Sequence, residues 1–274
     1  MPTASIRLLR AHSDFQQCEK IQKEVWGAIS LSAEPLKVIQ DSGGIVLGCF
    51  DGDRLLGFIS ALLAQHQREL FHWSHQMAVR KHYRDQGLGL RMKLAHRRLA
   101  LKKGIRSICW TYDPLQSRNA VLNICRLKAL PEKYAESFYG HFSSLIEQGL
   151  PSDRFIVRWK ISSPVVERHL RRKNLRVPDA LSTSTQVANV TERQKSGFLV
   201  NREVLLGLDG RRILVEIPCD TDRMREKKIP QALEWRGVTR KLFSHYLGRG
   251  YCVTDFLRQG SRSSARCFYL MEKI

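Results

Sequence analysis

Gln76-Met-Ala-Val-Arg-Lys-His-Tyr-Arg-Asp-Gln-Gly-Leu-Gly-Leu90 is the stretch that decides the fold. His72–Val79 reads as a strand and Leu88–Lys103 as an amphipathic helix. Its face Leu88, Met92, Ala95 and Leu99 turns to a core, and Arg91, Lys93, Arg97, Arg98, Lys102 and Lys103 are expected in solvent. Between strand and helix lies Arg84-x-x-Gly87-x-Gly89. Two glycines let a backbone approach anionic oxygens with no Cβ in the way. Successive N–H groups then converge at the positive end of a helix dipole. Arg80 and Arg84 add side-chain charge. The loop lacks the Gly-Lys-Ser/Thr of a Walker A motif and is not GxGxxG. Taken alone, it also reads as a glycine-rich turn ahead of a surface helix.

Working outward, Ser5–Arg10 alternates as a strand, and Phe15–Trp26 carries helical apolar spacing behind a Ser13-Asp14 cap. Ile45–Phe50 and Leu55–Leu63 flank Asp51-Gly-Asp-Arg54, a hairpin signal. Ile105–Tyr112 is a strand stopped by Asp113-Pro114, Ser117–Leu127 a short helix and Phe155–Ile161 a strand. This order predicts an α/β (α+β) fold, a mixed and mostly antiparallel sheet flanked by helices. Three segments are expected: a domain over 1–163, a basic helix and polar linker over 164–196, and a smaller α/β region over 197–274. In the last, strands Phe198–Gly207 and Ile213–Ile217 flank Asp209-Gly210. Helix Pro230–Tyr246 and strands Tyr251–Leu257 and Arg266–Met271 follow.

The 274 residues carry 46 Lys and Arg against 26 Asp and Glu, a net charge of +20. The excess is shared equally between residues 1–160 and 161–274, so no basic tail explains it. Such a field attracts anions: nucleic acid, anionic lipid or a phosphorylated cofactor. Aromatics are not interleaved with the basic residues as stacking platforms, which argues against nucleic acid. The longest near-continuous apolar run, Leu55–Ala64, is too short to cross a bilayer, and the N-terminus shows no apolar signal region. Seven cysteines without a CxxC pair argue against a zinc site or a disulfide framework. A cytoplasmic chain without metal is expected.

Strand, Arg-x-x-Gly-x-Gly, amphipathic helix, Gly104, strand and then Asn119-Ala120 on a following helix together resemble the GNAT acyltransferase superfamily, over about residues 5–162. Finer stretches, His75–Val79, Trp110–Leu115, Arg118–Ala120, Tyr139-Gly140 and Gly149–Phe155, are similar to one bacterial subgroup of predicted acetyltransferases. The resemblance implies acetyl-CoA or another acyl-CoA as co-substrate. Arg84, Asp85, Gln86, Gly87, Leu88 and Gly89 would hold the pyrophosphate. Met77, Ala78 and Val79, on a strand that splays from its neighbour, would pair with pantetheine and stabilise the developing oxyanion. Asn119 would contact the cofactor arm. The last third of the chain is expected to be a degenerate GNAT-like half that walls the acceptor site.

The reaction so implied is direct attack of an amine on a thioester. It needs a base for the ammonium and an acid for the leaving thiolate. Many relatives place a Glu on the strand ending at Val79, but His72–Val79 holds no carboxylate. His75 is the nearest titratable group, and its parity matches Val79. The alternative is a hydrogen-bonded structural histidine. The relatives' Tyr acid falls at Ile124. Tyr112, Tyr134, Tyr139 and Cys125 are near in sequence, and Tyr139 is preferred. Asp113 would orient the substrate ammonium or His75, or cap a strand-end turn. The expected acceptor is the primary amine of a small molecule or amino acid; the rivals are a CoA-binding module without catalysis and a basic nucleic-acid-binding protein. Oligomeric state, monomer or homodimer, is not legible.

Overall fold

A computed structural model describes residues 4–140, 149–172, 185–260 and 265–274. It divides the chain into two units. Among described residues, the first holds 4–110 and 158–167, and the second holds the remainder.

The first unit runs β1 (Ser5–Leu8), α1 (His12–Trp26), α2 (Ala33–Asp41), β2 (Ile45–Asp51), β3 (Arg54–His66), β4 (Glu69–Val79), α3 (Leu88–Lys102) and the Ser107–Trp110 part of β5 (Ser107–Tyr112). β1 to β4 form an antiparallel meander. β5 then joins β4 in parallel. The mixed, mostly antiparallel sheet expected from the pattern is therefore present. One face packs Phe15, Cys18, Ile21 and Leu36 of α1 and α2 on Val46, Phe50, Phe58 and Ala78. The other packs Leu88, Met92 and Ala95 of α3 on Leu47, Cys49, Ile59, Met77 and Val79. A Cβ on Gly57 would stand 2.6 Å from the Ala78 carbonyl oxygen, so only glycine lets β3 close on β4 there.

Several local readings change. α1 starts at His12, and Asp14 holds Arg7 and accepts from the Arg10 N–H instead of capping by sequence position alone. α2 was not anticipated, because Pro35 and nine residues give little period to read. The β3–β4 hairpin reaches His66 and Glu69, with Gln67 at φ 53°. Lys93 is buried, not solvated, at 2 % exposure.

The second unit begins within β5 and continues through α4 (Ser117–Ala120), a π-helical turn (Val121–Arg126), β6 (Pro131–Ala135) and the start of β7 (Arg154–Lys160). After α5 (Pro164–Leu170) come β8 (Gln186–Val187), β9 (Asn189–Arg193), β10 (Leu199–Val204), β11 (Arg212–Ile217), α6 (Thr221–Lys227), α7 (Ile229–Gly248), β12 (Tyr251–Gln259) and β13 (Arg266–Lys273). Its four-stranded sheet has the order β12-β13-β11-β8, and Phe155, Phe243, Phe256 and Tyr269 meet edge to face in its core. The expected hairpin at Asp209-Gly210 does not form: β10 pairs with β9, and β11 with β13 and β8.

The units part at Trp110, inside the expected 1–163 segment. The cause is visible within the second unit. Leu115 accepts from Thr221, Pro114 from Tyr269, and Ser117 donates to the Cys219 carbonyl, tying 111–140 to the C-terminal elements. Of the expected 164–196 helix and linker, residues 173–184 lie outside the described residues, and part of the rest forms α5, β8 and β9.

His72 on β4 and His96 on α3 stack within the first unit, with Nδ1 and Nε2 3.0 Å apart. Burial disfavours both charged forms and lowers the His72 pKa to about 4. Between that value and the ordinary 6.5, the unfolded chain binds a proton that the native chain does not. Stability is therefore full above about pH 6.5 and falls toward pH 4, by on the order of 3 kcal/mol for His72. Urea unfolding across this window checks it, and His72→Leu should flatten the slope.

Candidate active site

The geometry starts from the hydrogen-bond phase of β4. Val79 faces Gly57 and Ala78 faces Phe58, while the Arg80 N–H reaches the Leu56 carbonyl at 2.9 Å. In an antiparallel ladder bonded pairs alternate, so residues 76, 78 and 80 bond to β3. The N–H and C=O groups of Met77 and Val79 turn to the opposite edge. There β5 pairs with β4 only at His72↔Ile108 and Trp73↔Cys109. Among the described residues that pairing ends at Trp73, and no strand completes the Met77–Val79 edge.

That edge leads into the glycine loop. A 3-10 turn, Lys81–Tyr83, is followed by Asp85 at φ 61° and Gly87 at φ 77°. Both left-handed residues fold the chain back so that Gly87 caps α3. The first backbone bond of the helix is Arg91 N–H to the Gly87 carbonyl, 3.1 Å. The N–H groups of Leu88, Gly89 and Leu90 therefore precede the helical ladder. No side chain caps this end and no acidic residue occupies its first turn. The space a Cβ on Gly87 would enter is open for 4 Å. Arg84 is exposed, its Nε donating to the Val79 carbonyl at 3.0 Å. Gln86 bonds back to the His82 carbonyl. Arg80, expected to add charge to the loop, is paired instead with Glu24 and with the Leu55 carbonyl. The arrangement can hold a phosphate pair at the loop and an extended amide chain along β4.

Residues 9–121 match the family model described as Acetyltransferase (GNAT) family. They form an acetyltransferase domain of the GNAT family. The match spans less than half of the chain, and the family it names uses acetyl-CoA as co-substrate. No curated protein matches the chain. Among solved structures, it is similar to the ribosomal-protein-S18-alanine N-acetyltransferase of Escherichia coli (17% identity, 59% of this chain and 96% of that one, TM-score 0.47). It is also similar to a GNAT-family acetyltransferase of Streptococcus pneumoniae (17%, 57% and 97%, 0.46) and to Arabidopsis thaliana NAA60 in complex with acetyl-CoA (13%, 58% and 99%, 0.46).

Met77, Ala78, Val79, Arg84, Asp85, Gln86, Gly87, Leu88 and Gly89 of this GNAT domain lie on one continuous strand, loop and helix of the first unit. His75 is on the same strand, at a bulge: the register passes from Ser60↔Gln76 to Ala61↔Ser74 and leaves His75 as the extra residue. Counting by twos from Val79 does not carry across it. Ser74 and His72 meet side chains of α3 on one side of the bulge, and Met77 and Val79 pack with α3 on the other. The His75 ring is exposed, yet the protein around it disfavours the imidazolium and lowers its pKa, so neutral imidazole prevails at pH 7.

The other predicted residues belong to the second unit. Asp113 accepts from the Leu115 N–H and from Arg236 of α7 (2.7 Å), and both side chains of that ion pair are nearly buried. Its carboxylate is thus engaged within its own unit. Tyr139 is exposed, its hydroxyl 3.1 Å from Thr111 Oγ1. Asn119 is half-buried on the short α4. Ile124 is fully buried, and burial pushes the neighbouring Cys125 thiol up to about 12. Tyr134 donates to Asp153, which also binds Arg240. Among the described residues no cluster of three His, Cys, Asp or Glu side chains is set to hold a metal ion.

Sequence reasoning missed Lys93. A lysine among arginines on a helix reads as surface, but it follows Met92 directly and sits three residues before His96, on the flank of the apolar face. Its Nζ donates to Ser74 Oγ at 3.1 Å and lies 3.8 Å from the Trp110 ring centroid.

Gly87 gives the test of the loop. Any side chain there meets the left-handed φ at a cost of about 1 kcal/mol. Gly87→Ala should fold and bind acetyl-CoA weakly. Gly87→Glu should fold equally well and lose acetyl-CoA binding by more than about 100-fold, because its carboxylate competes at the helix N-terminus. Calorimetry beside thermal unfolding measures both.

Proposed function

We propose that this chain transfers an acetyl or other short acyl group from CoA to the primary amine of a small molecule or amino acid, by direct attack on the thioester. The observation that carries the reading is the Met77–Val79 edge, without a strand partner among the described residues, running into the Gly87 loop at the start of α3. Acyl-CoA supplies an activated thioester carbonyl. The N–H groups of Leu88, Gly89 and Leu90, with the Arg84 guanidinium, bind its pyrophosphate. The Met77 and Val79 amides bind the pantetheine arm as a strand would, and orient the carbonyl so that an N–H meets its developing negative charge.

His75 takes the proton from the attacking ammonium, directly or through water. Its exposed place beside the open edge and its lowered pKa support that role. A neutral base is present above its pKa and lost below it, so turnover falls as pH drops through the acid side of the imidazole range. The +20 charge favours the polyphosphate donor and, more weakly, an acidic acceptor. We place the GNAT domain in residues 1–163, leave 164–196 as a connection and read 197–274 as an accessory region. Seven cysteines, none in a disulfide, fit a reducing compartment such as the cytoplasm.

Titration with acetyl-CoA, followed by thiol release across an amine panel, tests the reading. Binding with turnover is expected, and His75→Ala should lower kcat by about 100-fold while leaving acetyl-CoA affinity unchanged. Absence of binding by any acyl-CoA at low salt would sink it. Binding without turnover would make the chain a CoA-binding module.

A further inference from the structure

Pairing between β4 and β5 ends at Trp73↔Cys109, and the next residues on each strand are Ser74 and Trp110. The amine of Lys93 meets both of their side chains: its Nζ donates to Ser74 Oγ at 3.1 Å and lies 3.8 Å from the Trp110 ring centroid. Lysine is among the residues least often buried unless paired with a charge. Here its side chain is enclosed, and no carboxylate lies within ion-pair distance among the described residues. Ser74 takes one of three N–H donors and the indole face receives the charge. A methionine or leucine would fill this space at no electrostatic cost, so a lysine there calls for a chemical reason.

The position suggests one. Lys93 stands in the second turn of α3, about 7.5 Å along the helix from Leu88 at 1.5 Å per residue. Ser74 lies roughly 16 Å back along β4 from Val79 at about 3.3 Å per residue. An extended pantetheine arm held at the loop by its pyrophosphate and along Val79 and Met77 by its amides runs toward the end of the β4–β5 pairing.

We propose that Lys93, as its ammonium, is the proton donor to the thiolate released from acyl-CoA. The inference rests on the reading of Met77–Leu90 as the acyl-CoA site. The amine nitrogen attacks the thioester carbon, and the C–S bond breaks with its electron pair on sulfur. One Nζ–H proton passes to that sulfur and gives the free thiol. The proton lost by the attacking amine leaves through His75 or water, and Lys93 regains one from solvent. Atoms and charge balance without a further reactant.

The surroundings set the acid strength. Burial lowers the Lys93 pKa to about 7. On α3 its ionisable neighbour is His96, and on β4 it is His72; the two bond to each other and stay neutral. Ser74 and Trp110 carry no charge. An ammonium of that strength gives up its proton to a thiolate more readily than an exposed lysine does.

The test uses free CoA, so no acceptor needs to be known. The thiolate absorbance of bound CoA is followed against pH. In this uncharged pocket a thiolate and the Lys93 ammonium stabilise each other, so bound CoA raises the pH at which Lys93 loses its proton and the bound thiol should titrate about one unit or more below free CoA. Lys93→Met, of similar volume, should return it to the free value while CoA affinity changes less than about threefold. With acetyl-CoA and an acceptor, the same variant should lose the fall of kcat above pH 7 and keep its KM for acetyl-CoA. A bound thiol that titrates in wild type as it does in water overturns the proposal whether or not the variant folds. So does an equal lowering in wild type and Lys93→Met. Failure of wild type to bind CoA at all overturns instead the donor-site reading beneath it.

Discussion

The end of the β4–β5 pairing at Trp73↔Cys109 is the constraint from which the rest of the first unit follows. A strand inside a sheet has two rows of backbone groups to satisfy, and β4 satisfies one row on β3. In the other row the Val79 carbonyl accepts from Arg84, and the Met77 and Val79 N–H groups meet no strand among the described residues. In the proposed function, pantetheine, with two amides in an extended chain, takes that edge, and an N–H of the same row meets the thioester carbonyl. Packing fixes β4 itself: Met77 and Val79 share a core cluster with Leu88 and Met92 of α3, and Gly57 lets β3 close on β4.

One helix then serves several ends. The first N–H groups of α3 precede its helical ladder and form the proposed anion site, and its apolar stripe forms the core under the sheet. His96 and Lys93, on the flank of that stripe, meet β4 side chains beyond the bulge at His75. The bulge matters because it exchanges the faces of β4: even-numbered residues meet α3 before it and odd-numbered residues after it. Polar contacts are thereby gathered where the β4–β5 pairing ends and apolar contacts beneath the open edge.

Much of this was legible in the sequence, where local chemistry dictates local geometry. The Arg84–Gly89 loop, the helix after it and the alternating strands stand where their periods put them. The family resemblance read from that loop agrees with the match over residues 9–121. What the sequence hid depends on tertiary detail. The bulge at His75 breaks a period of two without a glycine or proline to announce it. Arg80 looked like a cradle cation, but Glu24 takes it from 56 residues away. Asp113 looked free to orient a substrate, and Arg236 of α7 binds it. Lys93 sits among surface arginines, and only the closing of α3 on Trp110 buries it. The unit boundary at Trp110 was equally hidden, because hydrogen bonds from Thr221 and Tyr269, over 100 residues away, set it.

The central claim is that acetyl-CoA lies along the Met77–Val79 edge with its phosphates on the first turn of α3. Backbone amide NMR during an acetyl-CoA titration tests it most directly. The account predicts saturable shifts concentrated at Met77, Val79 and Gln86–Leu90, retained at physiological salt. Shifts spread over the exposed arginines and lysines and erased by salt, with these amides unmoved, would contradict it.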